Sequence, residues 1–480
     1  MKISELIKVL DNECALSFID AECSGIFNDS RKVVDNSIFV CIKGLRSDGH
    51  DFAEETAKNG AAIVICEHDV GLENQIIVED TREAYAILCA EYFSNPAKKL
   101  KLIGITGTAG KTTTSYMIKS MLTKAGHKVG LIGTIQNMIG DEILPSHYTT
   151  PDAYELHSLF DLMQKGGCDY CVMEVSSMAL HQKRVFGLEF NTAVFTNFSQ
   201  DHLDYHITMD NYLDAKLMLF SMCKNAVINY DSKCAKKVID FAKDKGCNVL
   251  TYSTVSNDCD YSAKEMRYKS DSVSYVIVTT GKIGRVKVMV PGVFMVYNSL
   301  AAGVVSIAEG IDFDTTIDYM QSLTGVKGVV EVVPNNKDCT FIIDFAHTPD
   351  ELENVIKMLS EFKQGRLITL FGCGGDRDNS KRAIMGRIVS ELSDFTIVTS
   401  DNPRTENPSK IIEDIVSGID KKANHIVIED REQAIIYAVK NSKPNDIVLF
   451  AGKGYETYQI LNSGTIRFDE REVIAKALSE

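Results

Sequence analysis

The stretch "GITGTAGKTTTS", residues 104–115, decides the fold. An apolar run, "LIGIT", leads into it, and a helical pattern, "TTTSYMIKSMLTKAG", leads out. Strand, glycine loop and helix in that order make a cradle where backbone N–H groups and a helix N-terminus face an anion. Gly107, Thr108, Ala109, Gly110, Lys111, Thr112 and Thr113 are the candidate nucleotide-binding residues. Lys111 suits the β- and γ-phosphates, and the Thr112 hydroxyl suits Mg²⁺. A purely structural turn has no need of the Lys-Thr pair.

The bulk numbers set the frame. A chain of 480 residues exceeds one hydrophobic core, so several domains are expected. Hydrophobic content of 45% and charged content of 24% are ordinary for a globular protein. No apolar run reaches membrane-spanning length, and "MKISELIKVLDNE" lacks a signal-peptide core; the expectation is a cytoplasmic protein. A net charge of -15 argues against a nucleic-acid partner, which needs a basic surface to displace counterions. The 13 cysteines show no repeating spacing and read as reduced thiols. Cys168 and Cys171 lead into the apolar "CVMEV", so a buried strand is expected there in preference to a metal or redox site.

Three blocks follow along the chain. Residues 1–97 carry short apolar strands, "SIFVCIKG" and "AAIVICE", and a helical stretch at "TREAYAILCAEYF"; "SNPAKKLK" reads as a linker. Residues 98–330 alternate strands with helices, which implies a mainly parallel sheet covered on both faces. Between about 258 and 295 in this block, "SVSYVIVTT" and "GRVKVMVPG" suggest antiparallel strands. Residues 331–480 repeat the strand–helix alternation as a Rossmann-like block, from "TFIIDFAHT" to "DIVLFAGKG". The fold class is α/β in three domains.

Two stretches place carboxylates and imidazoles at strand ends, where open parallel sheets present their ligand sites. "VMEVSSMAL" offers Glu174, and "TNFSQDHLDYH" offers Asp201, His202, Asp204 and His206. Glu174 and His202 are the candidates for Mg²⁺; Asp204, Tyr205 and His206 serve equally well as turn contacts. Lys216 lies among Leu213, Leu217, Leu219 and Phe220. The segment itself favours a lysine snorkelling to solvent, but an ammonium in apolar surroundings also loses its proton and reacts with electrophiles such as CO2.

The order of these pieces resembles the Mur ligases, the ATP-dependent amide-bond formers of peptidoglycan synthesis and cell-wall building. The resemblance covers nearly the whole chain. It includes "NDSRKV", "FVCIKGLRSDGHDF", "TTPDAYEL", "EVSSMALHQKRV", "DFAHTPDELE", "FGCGGDRDNSKR", "SDNPRTENP" and "AGKGYETYQ". It implies a muramoyl-substrate domain, a central phosphate-loop ATPase-like domain and a C-terminal Rossmann-like amino-acid domain. The implied reaction phosphorylates the D-Glu γ-carboxylate of UDP-MurNAc-L-Ala-D-Glu with ATP. An incoming free amino acid then attacks the acyl phosphate.

The implied roles are carried over by position. Thr112, Glu174, His202 and Lys216, the last as a CO2-derived carbamate, would serve Mg²⁺; Lys111 would hold phosphate. Asn298 and Asp344 would meet ATP. Ser30 would meet the uridine end, with the loop at Leu45 to Ser47 nearby, and Thr149, Thr150, Ser176, Gln182 and Arg184 would hold the muramoyl-dipeptide. Arg377, Asp401, Asn402, Pro403, Arg404, Gly452 and Glu456 would line the amino-acid pocket. "DNPR" resembles the form associated with meso-diaminopimelate, whose distal carboxylate Arg404 would clamp with two parallel hydrogen bonds. The resemblance also implies a monomer with no membrane span.

Five positions depart from the pattern: Met178 and Tyr455 replace His, Met295 replaces Asn, Val329 replaces Arg, and Gln200 stands where Arg is common. Two alternatives follow. One is a ligase of the same kind acting on a different acceptor or amino acid; the other is a catalytically weak precursor-binding protein.

Overall fold

The computed structural model describes residues 1–10, 21–44, 47–269, 272–360 and 363–479, without the side chains of Asp204 and Asp350. Leu45, from the expected uridine-side loop, lies outside the described residues. The chain divides into two compact units, residues 1–262 with 301–316, and residues 263–300 with 317–480.

The first unit opens with a small parallel sheet in the order Ile26–Phe27, Ser37–Val40, Ala61–Cys66, Gln75–Ile77. Its two central strands are buried on both faces. Ile38, Val40, Ile63 and Ile65 pack with Leu88, while Phe39 and Val64 pack with Ala53 on the other side, as the two-residue period of a strand requires. The helix Thr81–Tyr92 starts at Asp80, whose carboxylate accepts from the N–H groups of Arg82 and Glu83. "SNPAKKLK" is more than a linker: it folds into a 3-10 turn, Pro96–Lys99, because Pro96 opens the turn and Ala97 enters the neighbouring core.

The larger sheet of this unit runs Asn248–Ser253, Cys223–Asn229, Phe190–Phe195, Lys101–Thr106, Tyr170–Glu174, Val129–Ile132, all parallel. Near-continuous apolar runs such as "AVIN" and "CVME" suit strands covered on both faces. Lys101–Thr106 lies between Phe190–Phe195 and Tyr170–Glu174. The phosphate loop, Glu174 and the 196–206 segment therefore leave the sheet side by side at one edge. Cys171 is buried within its strand, and Cys168 is buried just before it. A short antiparallel hairpin, Asn137–Ile139 with Glu142–Leu144, closes the flank beside Val129–Ile132. Three-residue strands show too little alternation to be read from sequence.

At the opposite flank, Tyr261 and Ser262 pair in parallel with Tyr252 and Ser253. The strand Tyr261–Tyr268 thus begins parallel, where antiparallel pairing is expected throughout. In the second unit Val273–Thr279 and Lys282–Val288 do form an antiparallel hairpin. A six-stranded sheet follows in the order Glu331–Val333, Thr340–Asp344, Ile447–Ala451, Leu367–Phe371, Phe395–Val398, His425–Val427, antiparallel only at the first pair. No helix among the described residues is long and apolar enough to cross a membrane.

Candidate active site

The loop after Lys101–Thr106 is pinned by the end of its neighbouring strand. Gly107 has φ 147°, and a Cβ there would lie 2.0 Å from Thr196 Oγ1, so only glycine fits. Thr196 Oγ1 donates to Ala109 O at 2.7 Å, and Asn197 Nδ2 donates to the same oxygen at 3.0 Å. Ala109 N donates to Asn197 Oδ1 at 2.9 Å, and Thr108 N to Asn197 O at 3.1 Å. These bonds hold the loop in shape across strands. Lys111, the first residue of the helix Lys111–Lys124, donates to Gly107 O at 3.1 Å and Thr108 O at 2.9 Å. Burial pushes its pKa below the ordinary lysine value, and the Glu174 carboxylate opposes that shift.

Glu174 is 1% exposed. Its Oε2 accepts from Thr112 Oγ1 and Thr134 Oγ1, both at 3.0 Å, and its Oε1 accepts from Thr134 N at 3.0 Å. Burial raises its pKa; Lys111, then the Thr134 and Thr112 donors, pull it back. Gly133 permits this approach, since a Cβ there would meet Glu174 Oε1 at 2.4 Å.

Lys216 does not snorkel. It is 1% exposed and donates to Gly107 O at 2.8 Å, with its Nζ 4.5 Å from the Tyr212 ring centroid. Burial, reinforced by Lys111, drives its pKa well below the ordinary value. The neutral amine is nucleophilic. Tyr212 also approaches the loop, its hydroxyl 3.3 Å from Thr108 Oγ1.

His202 takes the left-handed conformation, φ 51°, at the start of the turn Leu203–His206, and its Nε2 lies 3.3 Å from Asp201 Oδ2. Asp204 has no described side chain. Tyr205 and His206 bond beyond their own turn and so are more than the expected local contacts: the Tyr205 hydroxyl lies 2.9 Å from His181 Nδ1, and His206 Nε2 lies 2.9 Å from Ser177 Oγ.

A second network starts at the Glu174 main chain. Thr150 Oγ1 donates to Glu174 O at 2.9 Å and accepts from Ser176 N at 3.0 Å. Arg184 donates to Thr150 O at 2.7 Å, and its Nε and Nη2 donate to Gln182 Oε1 at 3.1 and 2.8 Å. Thr149 Oγ1 lies 3.0 Å from Thr134 Oγ1. Gln182 and Arg184 line a cavity of about 860 Å³ with Lys32, Lys43, Arg82, His147, Tyr148 and Lys183. Ser30 opens the 3-10 turn Ser30–Lys32 beside it. The lysines and arginines of the lining outnumber its carboxylates, Asp29, Asp152 and Glu155, a balance that suits an anionic ligand.

In the second unit Arg404 has φ 54°, a conformation that costs a non-glycine residue about 1–3 kcal/mol and clusters at functional sites. Its N–H donates to Ile460 O at 3.1 Å and its Nη1 to Gly375 O at 2.8 Å. Asn402 Nδ2 donates to Glu456 Oε2 at 3.0 Å. Gly452 has φ 108°, and a Cβ there would meet Asp401 Oδ2 at 2.7 Å. Arg377 and Pro403 flank this group on the same two loops, where a Cβ on Gly375 would lie 2.0 Å from Pro403 O. Asp344 accepts from Val330 N and Ala346 N at 2.8 Å, and burial pushes its carboxyl up to about 6. Asn298 is buried, with Nδ2 lacking a hydrogen-bond partner among the described residues. Met295 is wholly buried as a core residue, and its carbonyl accepts from Ser299 Oγ.

Sequence reasoning missed Thr134, Thr196, Asn197 and Tyr212. Thr134 and Asn197 each follow a strand of the same sheet, "VGLIGT" and "AVFTN". Sheet order is the missing information that makes them neighbours of Glu174 and the loop.

Residues 22–93 match the model described as Mur ligase family, catalytic domain; 105–306 match the Mur ligase middle domain; and 330–454 match the Mur ligase, glutamate ligase domain. The chain is 44% identical over 485 residues to UDP-N-acetylmuramoyl-L-alanyl-D-glutamate--2,6-diaminopimelate ligase 1 of Clostridium acetobutylicum, covering 100% of both chains. It is 45% identical over 469 residues to the corresponding ligase of Clostridium botulinum, covering 96% of each. A solved structure of a UDP-N-acetylmuramoyl-L-alanyl-D-glutamate--2,6-diaminopimelate ligase superposes with a TM-score of 0.75 at 33% identity, covering 100% of this chain and 99% of that one.

Proposed function

The chain belongs to the Mur ligase family, and from that premise we propose that it joins meso-diaminopimelate to the D-Glu γ-carboxylate of UDP-MurNAc-L-Ala-D-Glu, using ATP. One observation carries the reading. Glu174 takes the Thr112 hydroxyl of the phosphate loop on its carboxylate and the Thr150 hydroxyl on its main-chain oxygen. Thr150 is tied in turn to Arg184 at the basic cavity. A phosphate site and an acceptor site are thereby linked by contiguous hydrogen bonds. Residues 1–97, 98–330 and 331–480 would hold the muramoyl substrate, ATP and the amino acid respectively.

Lys111 and the helix N-terminus bind the γ-phosphate and stabilise charge as the substrate γ-carboxylate attacks phosphorus and ADP leaves. The amine of the incoming amino acid then attacks the acyl carbon, and inorganic phosphate departs. Arg184, Gln182 and Thr150 hold the acceptor in line. Glu174 and Thr112 are a hard-oxygen pair that fits Mg²⁺, with His202 on the same sheet edge. Bound there, Mg²⁺ would neutralise the repulsion between carboxylate and phosphates. Lys216 supports the carbamate assignment: its lowered pKa favours the deprotonated amine, which would add to CO2 and release one proton, yielding an anion beside the loop. Arg404 clamps the distal carboxylate of the amino acid.

The test is incubation of the purified chain with UDP-MurNAc-L-Ala-D-Glu, ATP, Mg²⁺ and either meso-diaminopimelate or L-lysine. ADP and a tripeptide product made preferentially from meso-diaminopimelate are expected. No product overturns the ligase reading, and preference for lysine overturns the choice of amino acid.

A further inference from the structure

The largest fully buried side chains include Arg431, which has no part in the roles above. It opens the helix Arg431–Asn441 and pairs with Glu470, which opens the helix Glu470–Ser479; both side chains are 0% exposed. Arg431 Nε donates to Glu470 Oε1 at 2.9 Å, and its Nη2 lies 2.8 Å from the same oxygen. Glu470 Oε2 has no hydrogen-bond partner among the described residues. A buried ion pair repays its desolvation only when its remaining groups are also bonded, and an apolar pair of similar volume is often at least as stable. Core stability by itself therefore gives no reason for these charges.

The other bonds of the guanidinium supply one. Nη2 donates to Ala451 O at 2.8 Å and Nη1 to Ser400 O at 3.3 Å. Ala451 ends the strand Ile447–Ala451, and Ser400 stands just past the end of Phe395–Val398. The residues that follow are Gly452 and Asp401, so one planar side chain bonds both pocket loops at their roots. Further out, Gln459 Nε2 donates to Asp401 O at 2.6 Å and Arg471 Nη2 to Gly454 O at 3.0 Å, each holding one loop. Lys453 Nζ, bonded to Asn402 Oδ1 and Glu456 Oε2, joins the loops to each other. Arg431 ties both to two packed helices, whose Ala434, Ile435, Val473 and Ile474 share the core. We infer that Arg431, held by Glu470, is a positioning residue for the amino-acid site, fixing the loops that carry Asn402, Arg404, Gly452 and Glu456. The inference rests on the proposed function and extends it to a residue too buried to touch substrate.

The test measures kcat and the KM values for meso-diaminopimelate, ATP and UDP-MurNAc-L-Ala-D-Glu, with thermal melts alongside. It compares wild type, Arg431→Lys and the paired Arg431→Met with Glu470→Leu. The paired change roughly keeps the volume and removes both charges, so the fold is expected to persist while Ser400 O and Ala451 O lose their donor. A site group misplaced by about 1 Å costs on the order of 100-fold, so the KM for meso-diaminopimelate is expected to rise about tenfold or more, with the other two KM values unchanged. In Arg431→Lys the ammonium still pairs with Glu470 but lacks the fork that spans both carbonyls, and a smaller rise in the same KM is expected. A folded paired variant with the wild-type KM for meso-diaminopimelate overturns the inference. Equal rises in all three KM values, or a loss confined to kcat, overturn it too and mark a merely structural pair. If the paired variant does not fold, Arg431→Lys decides: a selective rise in that KM supports the inference, and a wild-type KM or an unfolded protein overturns it. A wild type without tripeptide synthesis overturns the proposed function and this inference together. Where the wild type makes the tripeptide, the variants bear on the role of Arg431 alone.

Discussion

Thr134→Val isolates one bond to the carboxylate on which the phosphate site depends. The substitution removes the hydroxyl that reaches Glu174 Oε2 at 3.0 Å and keeps the N–H that reaches Oε1. A hydrogen bond to a buried charged group is worth about 1.5–3 kcal/mol. Its loss lifts the Glu174 pKa further above a value that burial has already raised. Activity follows the ionised form, so the acid limb of kcat/KM for ATP moves to higher pH while the alkaline plateau survives. The assay is ADP release against pH at saturating UDP-MurNAc-L-Ala-D-Glu and meso-diaminopimelate. Stability shifts in the same sense: a raised carboxyl pKa stabilises the fold at acid pH and loses that contribution as pH rises through it. The variant is therefore expected to lose stability relative to wild type as pH rises through the Glu174 titration. A loss of rate equal at every pH, or an acid limb that does not move, refutes this role for the Thr134 hydroxyl.

Lys216 is expected to make activity depend on dissolved CO2: protein prepared in CO2-free buffer loses rate, bicarbonate restores it, and Lys216→Ala shows no such response. Arg404→Ala is expected to raise the KM for meso-diaminopimelate by roughly 10–100-fold, the equivalent of one charge-assisted interaction, with the KM for ATP unchanged; equal effects on both place Arg404 outside the pocket. His157 is buried on the helix Ala153–Lys165 with its pKa pushed down to about 4 by burial. The folded state then resists protonation, so stability is intact above about pH 6.5 and falls by about 3 kcal/mol toward pH 4. His157→Phe is expected to flatten the urea-midpoint slope across that window, and an unchanged slope rules His157 out as its source.

What the sequence revealed and what it hid divide along a physical line. The strand, loop and helix around Lys111 were legible because their signals are local: an apolar run, glycines that permit close approach, and a helix start. Glu174 was legible as a strand-end carboxylate. Thr134 was not, because its bond to Glu174 spans 40 residues and exists only since Val129–Ile132 lies beside Tyr170–Glu174. Lys216 exposes the same limit from the other direction. Its apolar neighbours in sequence fitted a snorkelling side chain, but the deciding partner is Gly107 O, 109 residues away. Residue chemistry is written locally; the burial and the nearby Lys111 charge that lower the Lys216 pKa are set by strand order. The resemblance to Mur ligases reached Lys216 because a family motif carries strand order implicitly.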